Sequence, residues 1–208
     1  MAVSKNTIKY IKSLRLKKFR QKYNIFLVEG DKIAREAISE APALIQAIYA
    51  LPEWINDNGR GIPENKLHSV SDKELKQLSL LTTPNQVLMT LRIPDYDKEQ
   101  LPFAQELGLY LDGIQDPGNM GTILRIADWF GIPTVLCSRD CVDAYHPKVI
   151  QATMGAFLRV SCVEYPLEEI IRHQPDIPVL GAAMDGENVF KIKKPSRGLL
   201  VIGNEGNG

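Results

Sequence analysis

The feature that most constrains this chain is the alternation of short apolar runs with amphipathic stretches beyond its midpoint. Apolar runs at 107–111, 134–137, 158–163, 179–183 and 199–202 are strand-sized. Helical patterns at 119–130, 147–156 and 166–173 lie between them. Parallel neighbours need a crossover, usually a helix, and buried parallel strands read as continuous apolar runs. The pattern predicts a mostly parallel sheet covered on both faces.

The first half alternates in a different way. Ser4 opens a helix expected over 5–22, with Ile8 and Ile11 on its apolar side. A strand is expected at 25–28, a helix from Asp31 to Ala41, and strands at 45–50 and 66–70. Ser71 and Glu74 have capping-box spacing for a helix to Leu80, and a strand follows at 87–91. Residues 1–93 therefore read as a small α/β layer domain. The polar, proline-bounded stretch 94–106 reads as a linker, and 107–208 as a second α/β domain.

Charge separates the two ends of the chain. Lys+Arg and Asp+Glu number 25 each, which excludes a uniformly basic coat protein. Yet residues 1–28 carry Lys5, Lys9, Lys12, Arg15, Lys17, Lys18, Arg20 and Lys22 with no acid, so the remainder is acidic. A basic helix on an acidic body suits a polyanion, with Lys9, Lys12, Lys17, Lys18 and Arg20 as candidate RNA contacts. The alternative is a solvated helix face. Cys137, Cys141 and Cys162 are too few for a paired framework, and no Cys or His set has the four-ligand spacing of structural zinc. Free buried thiols and no metal are expected. With no secretory leader and no membrane-length apolar segment, a cytoplasmic protein is expected.

Two segments carry chemistry. In Leu111–Arg125 a strand runs into Asp116-Pro117-Gly118-Asn119 and then a helix. Helix N-termini suit anions; Asn119 is placed to cap, Gly121 permits close approach, and Arg125, four residues later, can grip a phosphate. On spacing alone, a capped helix with a surface arginine is the favoured description of these residues. The spacing is not the G-x-G-x-x-G of a dinucleotide site. In the second segment, Leu199–Ile202 runs into Gly203-Asn204-Glu205-Gly206-Asn207-Gly208, a glycine-rich strand end of the kind that meets ligands in open α/β sheets.

Together these segments resemble the SpoU/TrmH-type RNA ribose 2′-O-methyltransferases of the SPOUT superfamily. Pro147-Lys148-Val149 and Thr153-Met154-Gly155-Ala156 resemble the family's intervening helix, with Gln151 where many members have arginine. Val28-Glu29-Gly30 is similar to a piece of the substrate-binding extension that many members carry. The resemblance implies an α/β knot and S-adenosylmethionine as cofactor. It also implies a homodimer and an RNA substrate, ribosomal RNA ahead of transfer RNA. By the same resemblance, Asn119, Arg125 and Glu205 are catalytic, with Arg125 either a base or a phosphate clamp. Ala182, Ala183, Ile202, Gly203 and Asn204 would contact the cofactor. The family's third motif lies beyond Gly208, so the resemblance implies a truncated chain with an incomplete knot. A non-catalytic RNA-binding or ribosome-assembly module on this fold is the competing expectation.

Overall fold

A computed structural model describes residues 3–96, 106–183, 185–193 and 195–204. Two compact units emerge, one of residues 1–95 with 143–158, the other of residues 96–142 with 159–208. The expected linker falls largely on residues 97–105, outside the described residues.

The first unit starts with two helices where one was expected. Ser4 caps α1 (Lys5–Ser13) by accepting from Thr7 N at 3.0 Å, and a break at Leu14–Leu16 precedes α2 (Lys17–Tyr23). The break follows from burial. Ile11 and Leu14 are fully buried, and re-phasing the chain after Leu14 turns Arg20 inward as well, to 1% exposure. Arg20 Nη1 donates to Leu14 O at 2.7 Å, satisfying a carbonyl at the end of α1, and its Nε donates to Asp143 Oδ2 at 2.9 Å. Arg20, expected among the RNA contacts, is instead buried with its guanidinium engaged inside the unit.

A four-stranded sheet follows, ordered β1-β4-β2-β3. It comprises β1 (Ile25–Glu29), β2 (Ile45–Ala50), β3 (Leu67–Ser69) and β4 (Val87–Arg92). β4 pairs antiparallel with β1 and β2, and β2 pairs parallel with β3. Alternation along β1 sends Phe26 and Val28 to one core and Leu27 to the other. On one face pack α3 (Asp31–Glu40) and α4 (Pro52–Asn58), the latter missed in the sequence, with Trp54 Nε1 donating to Asp31 Oδ1 at 2.8 Å. On the other pack α1 and α5 (Asp72–Leu78), opened by the expected Ser71–Glu74 capping box.

Residues 143–158 contain α7 (Pro147–Thr153), expected to run to 156. Ile150 is fully buried in the Phe26–Met89 core, and Tyr145 and Phe157 flank Phe26 at ring-centroid distances of 4.8 and 5.6 Å. These packing partners group the segment with the first unit, whereas the sequence division, 1–93 and 107–208 about a linker at 94–106, leaves it in the second.

The second unit is a five-stranded sheet, parallel at every pairing and ordered β7-β6-β5-β9-β8. Its strands are β5 (Leu107–Leu111), β6 (Thr134–Cys137), β7 (Ser161–Glu164), β8 (Val179–Gly181) and β9 (Gly198–Ile202). β7 starts later and β8 ends earlier than the apolar runs suggested. Helix α6 (Pro117–Trp129) buries Met120, Leu124 and Ala127 and lies against β6, while α8 (Leu167–His173) adds Ile170 to a core of Tyr110, Leu136, Val163 and Leu199. Burial, with the charge of Asp112, pushes the Tyr110 hydroxyl up to about 12. It donates to Tyr165 O at 3.1 Å and stays a neutral donor. The sheet grows to one side through β6 and β7 and to the other through β9 and β8. Chain order therefore reverses at β5 and β9, the place where open α/β sheets bind ligands.

Candidate functional site

The two glycine-bearing segments meet at that point. Leu111 of β5 pairs with Ile202 of β9, so both strands deliver their carboxyl ends to one edge. Asp112 N donates to Ile202 O at 2.9 Å, and Asn204 Nδ2 donates to Gly113 O at 2.8 Å. Gly113 has φ +65°, a conformation that L side chains rarely adopt, so a substitution would strain this turn although a Cβ would have room, 3.6 Å from Asn204 Cβ. Below it, Ser138 and Cys141 hold the loop. Gly113 N donates to Ser138 Oγ at 2.9 Å, Ile114 N donates to Cys141 Sγ at 3.2 Å, and Cys141 donates to Leu111 O at 3.3 Å. A hydrogen bond with Cys137, with burial, pushes the Cys141 thiol up, so it serves as a neutral pin. All three cysteines are buried and free, as expected, and Cys137 and Cys162 sulfurs lie 3.7 Å apart.

A cavity of about 450 Å³ opens on this edge. Ile114, Ile123 and Ile202 give it apolar walls. Gln115, Asp116, Asn119, Thr122 and Asn204 supply polar groups, and Gly203 supplies backbone. Of the residues expected at the site, Asn119, Ile202, Gly203 and Asn204 are therefore brought together. Arg125 is exposed one helical turn beyond Gly121 and does not line the cavity. Ala182 and Ala183 follow β8, are exposed and lie outside the lining; Ala182 N donates to Val201 O at 3.1 Å, fixing the segment to β9. Glu205 lies outside the described residues.

The helix start differs from expectation. Asp116, not Asn119, is the N-cap, and its Oδ1 accepts from Asn119 N at 2.8 Å. A carboxylate thus occupies the helix N-terminus, where an anion was expected. Among the described residues, no Lys or Arg lines the cavity. The local field suits a cationic or neutral ligand better than a phosphate. Only the residue type at 116 hinted at this, since Asp ranks with Asn as a cap. The pinning roles of Ser138 and Cys141 left no readable spacing signal.

An open parallel sheet with a part-apolar cavity at its order reversal, floored by two motif loops, defines an α/β domain built to bind a ligand. The sequence profile described as the SpoU rRNA Methylase family matches residues 106–208, and that of the MRM3-like substrate binding domain matches residues 5–89. A solved structure from Porphyromonas gingivalis, assigned by its description to the TrmH family, is 34% identical. It superposes at TM-score 0.86 over 100% of this chain and 83% of its own. The 23S rRNA (guanosine(2553)-2′-O)-methyltransferase RlmP of Bacillus subtilis is 29% identical over 97% of this chain and 80% of its own length. The mitochondrial rRNA methyltransferase 3 of Xenopus laevis is 32% identical over 76% of this chain but 39% of its own length. The chain thus spans about two fifths of that mitochondrial relative. It belongs to the SpoU/TrmH family of RNA methyltransferases. Among the described residues, no helix is long and apolar enough to cross a membrane, and no group of three potential metal ligands occurs.

Proposed function

We propose that this chain carries out S-adenosylmethionine-dependent methylation of a ribose 2′-hydroxyl in RNA, with ribosomal RNA as the substrate class. The observation that carries the reading is the cavity at the carboxyl ends of β5 and β9, walled by Asn119 and the 202–204 strand end. The similarity to RlmP supports the substrate. A homodimer acting in the cytoplasm is part of the same reading.

The cavity's residues fit such a cofactor. Its three isoleucines suit a nucleoside base, and Asn204, Thr122 and the Gly203 backbone offer hydrogen-bonding groups. Asp116, with no cation among the described lining residues, suits a positively charged sulfur. When bound, S-adenosylmethionine supplies an electrophilic methyl group. Ile202, Gly203 and Asn204 would hold it, with Ala182 and Ala183 at the neighbouring strand end. Asn119 orients the ribose from the first turn of α6, and Glu205, next to Asn204, is assigned to the same site. Arg125 binds the adjoining RNA phosphate and stabilises negative charge developing on the ribose oxygen, because an arginine guanidinium stays protonated in proteins. Asp116 fills the helix N-terminus, which leaves phosphate binding to Arg125.

Lys9, Lys12, Lys17 and Lys18 are all exposed on α1 and α2 and contribute the non-specific share of RNA affinity. Changing the four to Gln is expected to weaken RNA binding and to lower the log–log salt slope by about 0.7–0.9 for each phosphate that is no longer neutralised. An unchanged slope would make these helices a solvated face.

Methyl transfer to ribosomal RNA tests the central claim. Arg125→Ala is expected to cut the rate about 10²–10³-fold, the loss typical of one electrostatic stabiliser. Cofactor affinity by calorimetry should hardly change. A variant that methylates at near the parental rate would overturn the role given to Arg125. A parental chain that binds RNA but transfers no methyl group would favour the non-catalytic reading.

A further inference from the structure

The first unit contains a cleft that neither the methyl-transfer reading nor the basic helix face uses. It holds about 520 Å³, within the ~300–1,000 Å³ usual for small-molecule sites. All of its lining residues belong to the first unit. Arg15, in the break between α1 and α2, and Lys148, at the start of α7, are both exposed and both line it. Leu27, Leu80, Leu81 and Pro147 give it an apolar surface.

The acid in the cleft is already hydrogen-bonded within the unit. Glu29 is 5% exposed; Ser79 Oγ and Leu80 N donate to its carboxylate, the latter at 3.1 Å. Burial pushes the Glu29 carboxyl above its ordinary value, although hydrogen bonds from Ser79, Leu80 and Leu81 and the charge of Lys12 oppose this. Burial, with the Arg20 charge adding, lowers His146, and its Nδ1 accepts from Lys148 N at 3.2 Å, which leaves Nε2–H as a neutral donor. Gln151 Nε2 donates to Glu29 O at 2.8 Å, which fixes the amide and leaves its oxygen to accept.

Cations over an apolar surface with a fixed amide are not what an inorganic anion needs, because it would leave the leucines wet. They match a molecule with a charged end and a flat, weakly hydrated end. We propose that this cleft receives one nucleotide of a single-stranded RNA segment. Arg15 and Lys148 hold the phosphate, the base lies against Leu80, Leu81 and Pro147, and Gln151 reads its edge. Unstacked bases in loops are the usual targets of sequence-selective RNA binding, and a guanidinium can grip a phosphate with two hydrogen bonds. The site rests on the RNA reading above and adds selectivity to the charge-driven binding of α1 and α2.

Nuclear magnetic resonance on the full chain tests this, with a single-stranded hexaribonucleotide of mixed sequence, the four ribonucleoside 5′-monophosphates and inorganic phosphate as probes. Saturable shifts are expected at the Gln151 side-chain amide and the Thr82 backbone amide with the hexamer, and unequal shifts among the monophosphates. Arg15→Ala with Lys148→Ala should weaken the hexamer about tenfold or more, because two charge-assisted hydrogen-bonding groups are removed. Lys73→Ala with Lys76→Ala, on exposed positions of α5, should not, and circular dichroism confirms that each variant is folded. Equal shifts with inorganic phosphate alone, or hexamer shifts confined to α1 and α2, would overturn the cleft while leaving RNA binding intact. No shift with any probe would overturn it too. Monophosphate shifts in a chain without methyl transfer would uphold the cleft and count against the methyl-transfer reading instead.

Discussion

The two units solve the same burial problem with opposite treatments of their polar groups. In the first, polar side chains are drawn into the core: Arg20 pairs with Asp143, and Glu29 is held by Ser79 and Leu80. In the second, the core cluster of Tyr110, Leu136, Val163 and Leu199 is nearly apolar, and the polar groups gather at one sheet edge around the cavity. The difference follows from sheet type. A wholly parallel sheet has its strand ends and helix starts on one side, and these collect unpaired backbone groups without any buried charge. The mixed sheet of the first unit offers no such edge. Its irregular segments, the α1–α2 break and residues 143–146, are fastened by side chains instead.

The contrast is most sharply tested by removing one partner of the buried pair. Asp143→Ala leaves the Arg20 guanidinium buried without its carboxylate, which typically costs about 3–5 kcal/mol. Denaturant unfolding should show this loss. A cost below about 1 kcal/mol, the range of exposed pairs, would break the comparison and return Arg20 to the RNA face.

The second unit should respond differently. Asn204→Ala removes the hydrogen bond to Gly113 O, worth about 0.5–1.5 kcal/mol to the fold. Its larger consequence should be weaker S-adenosylmethionine binding by calorimetry, because the strand end is no longer tied to the β5 turn. Stability falling by several kcal/mol with unchanged affinity would mean that this edge is structural rather than open for a ligand.

The smallest expected effect concerns Glu29. Its folded-state value lies above the ordinary 4.5 because burial penalises the charged form. The folded protein therefore binds the proton more tightly than the unfolded chain. That contribution is fully present below pH 4.5 and is lost as pH rises through the raised folded value. Glu29→Gln should flatten the stability difference across this window, measured by thermal unfolding at a series of pH values. A parental profile that instead gains stability there relative to the variant would show that the hydrogen bonds from Ser79 and Leu80 outweigh burial.

Much of the fold was legible because its signals are local. The Ser71–Glu74 capping box, the short apolar run at 25–28 and the apolar strands of the second unit each depend on residues a few positions apart. Helix α4 escaped because Pro52–Asn58 is short and carries one buried residue, Trp54, too few to show a period. The α1–α2 break escaped because an arginine normally marks a solvent face, and only the distant Asp143 makes burying Arg20 tolerable.

By itself, then, the sequence determined the strand and helix alternation, the two glycine-bearing loops and the family, since each rests on short-range pattern. Tertiary structure alone decided which polar groups share a space. Register between β5 and β9 set Asn204 against Gly113 across 91 positions, and Asp116 took the cap expected of Asn119. Folding residues 143–158 into the first unit set Gln151 against Glu29 and Lys148 in one cleft with Arg15. Such meetings depend on the packing of elements far apart in the chain, and a hydrogen bond reaches only about 3 Å, so no spacing rule along the sequence can anticipate them.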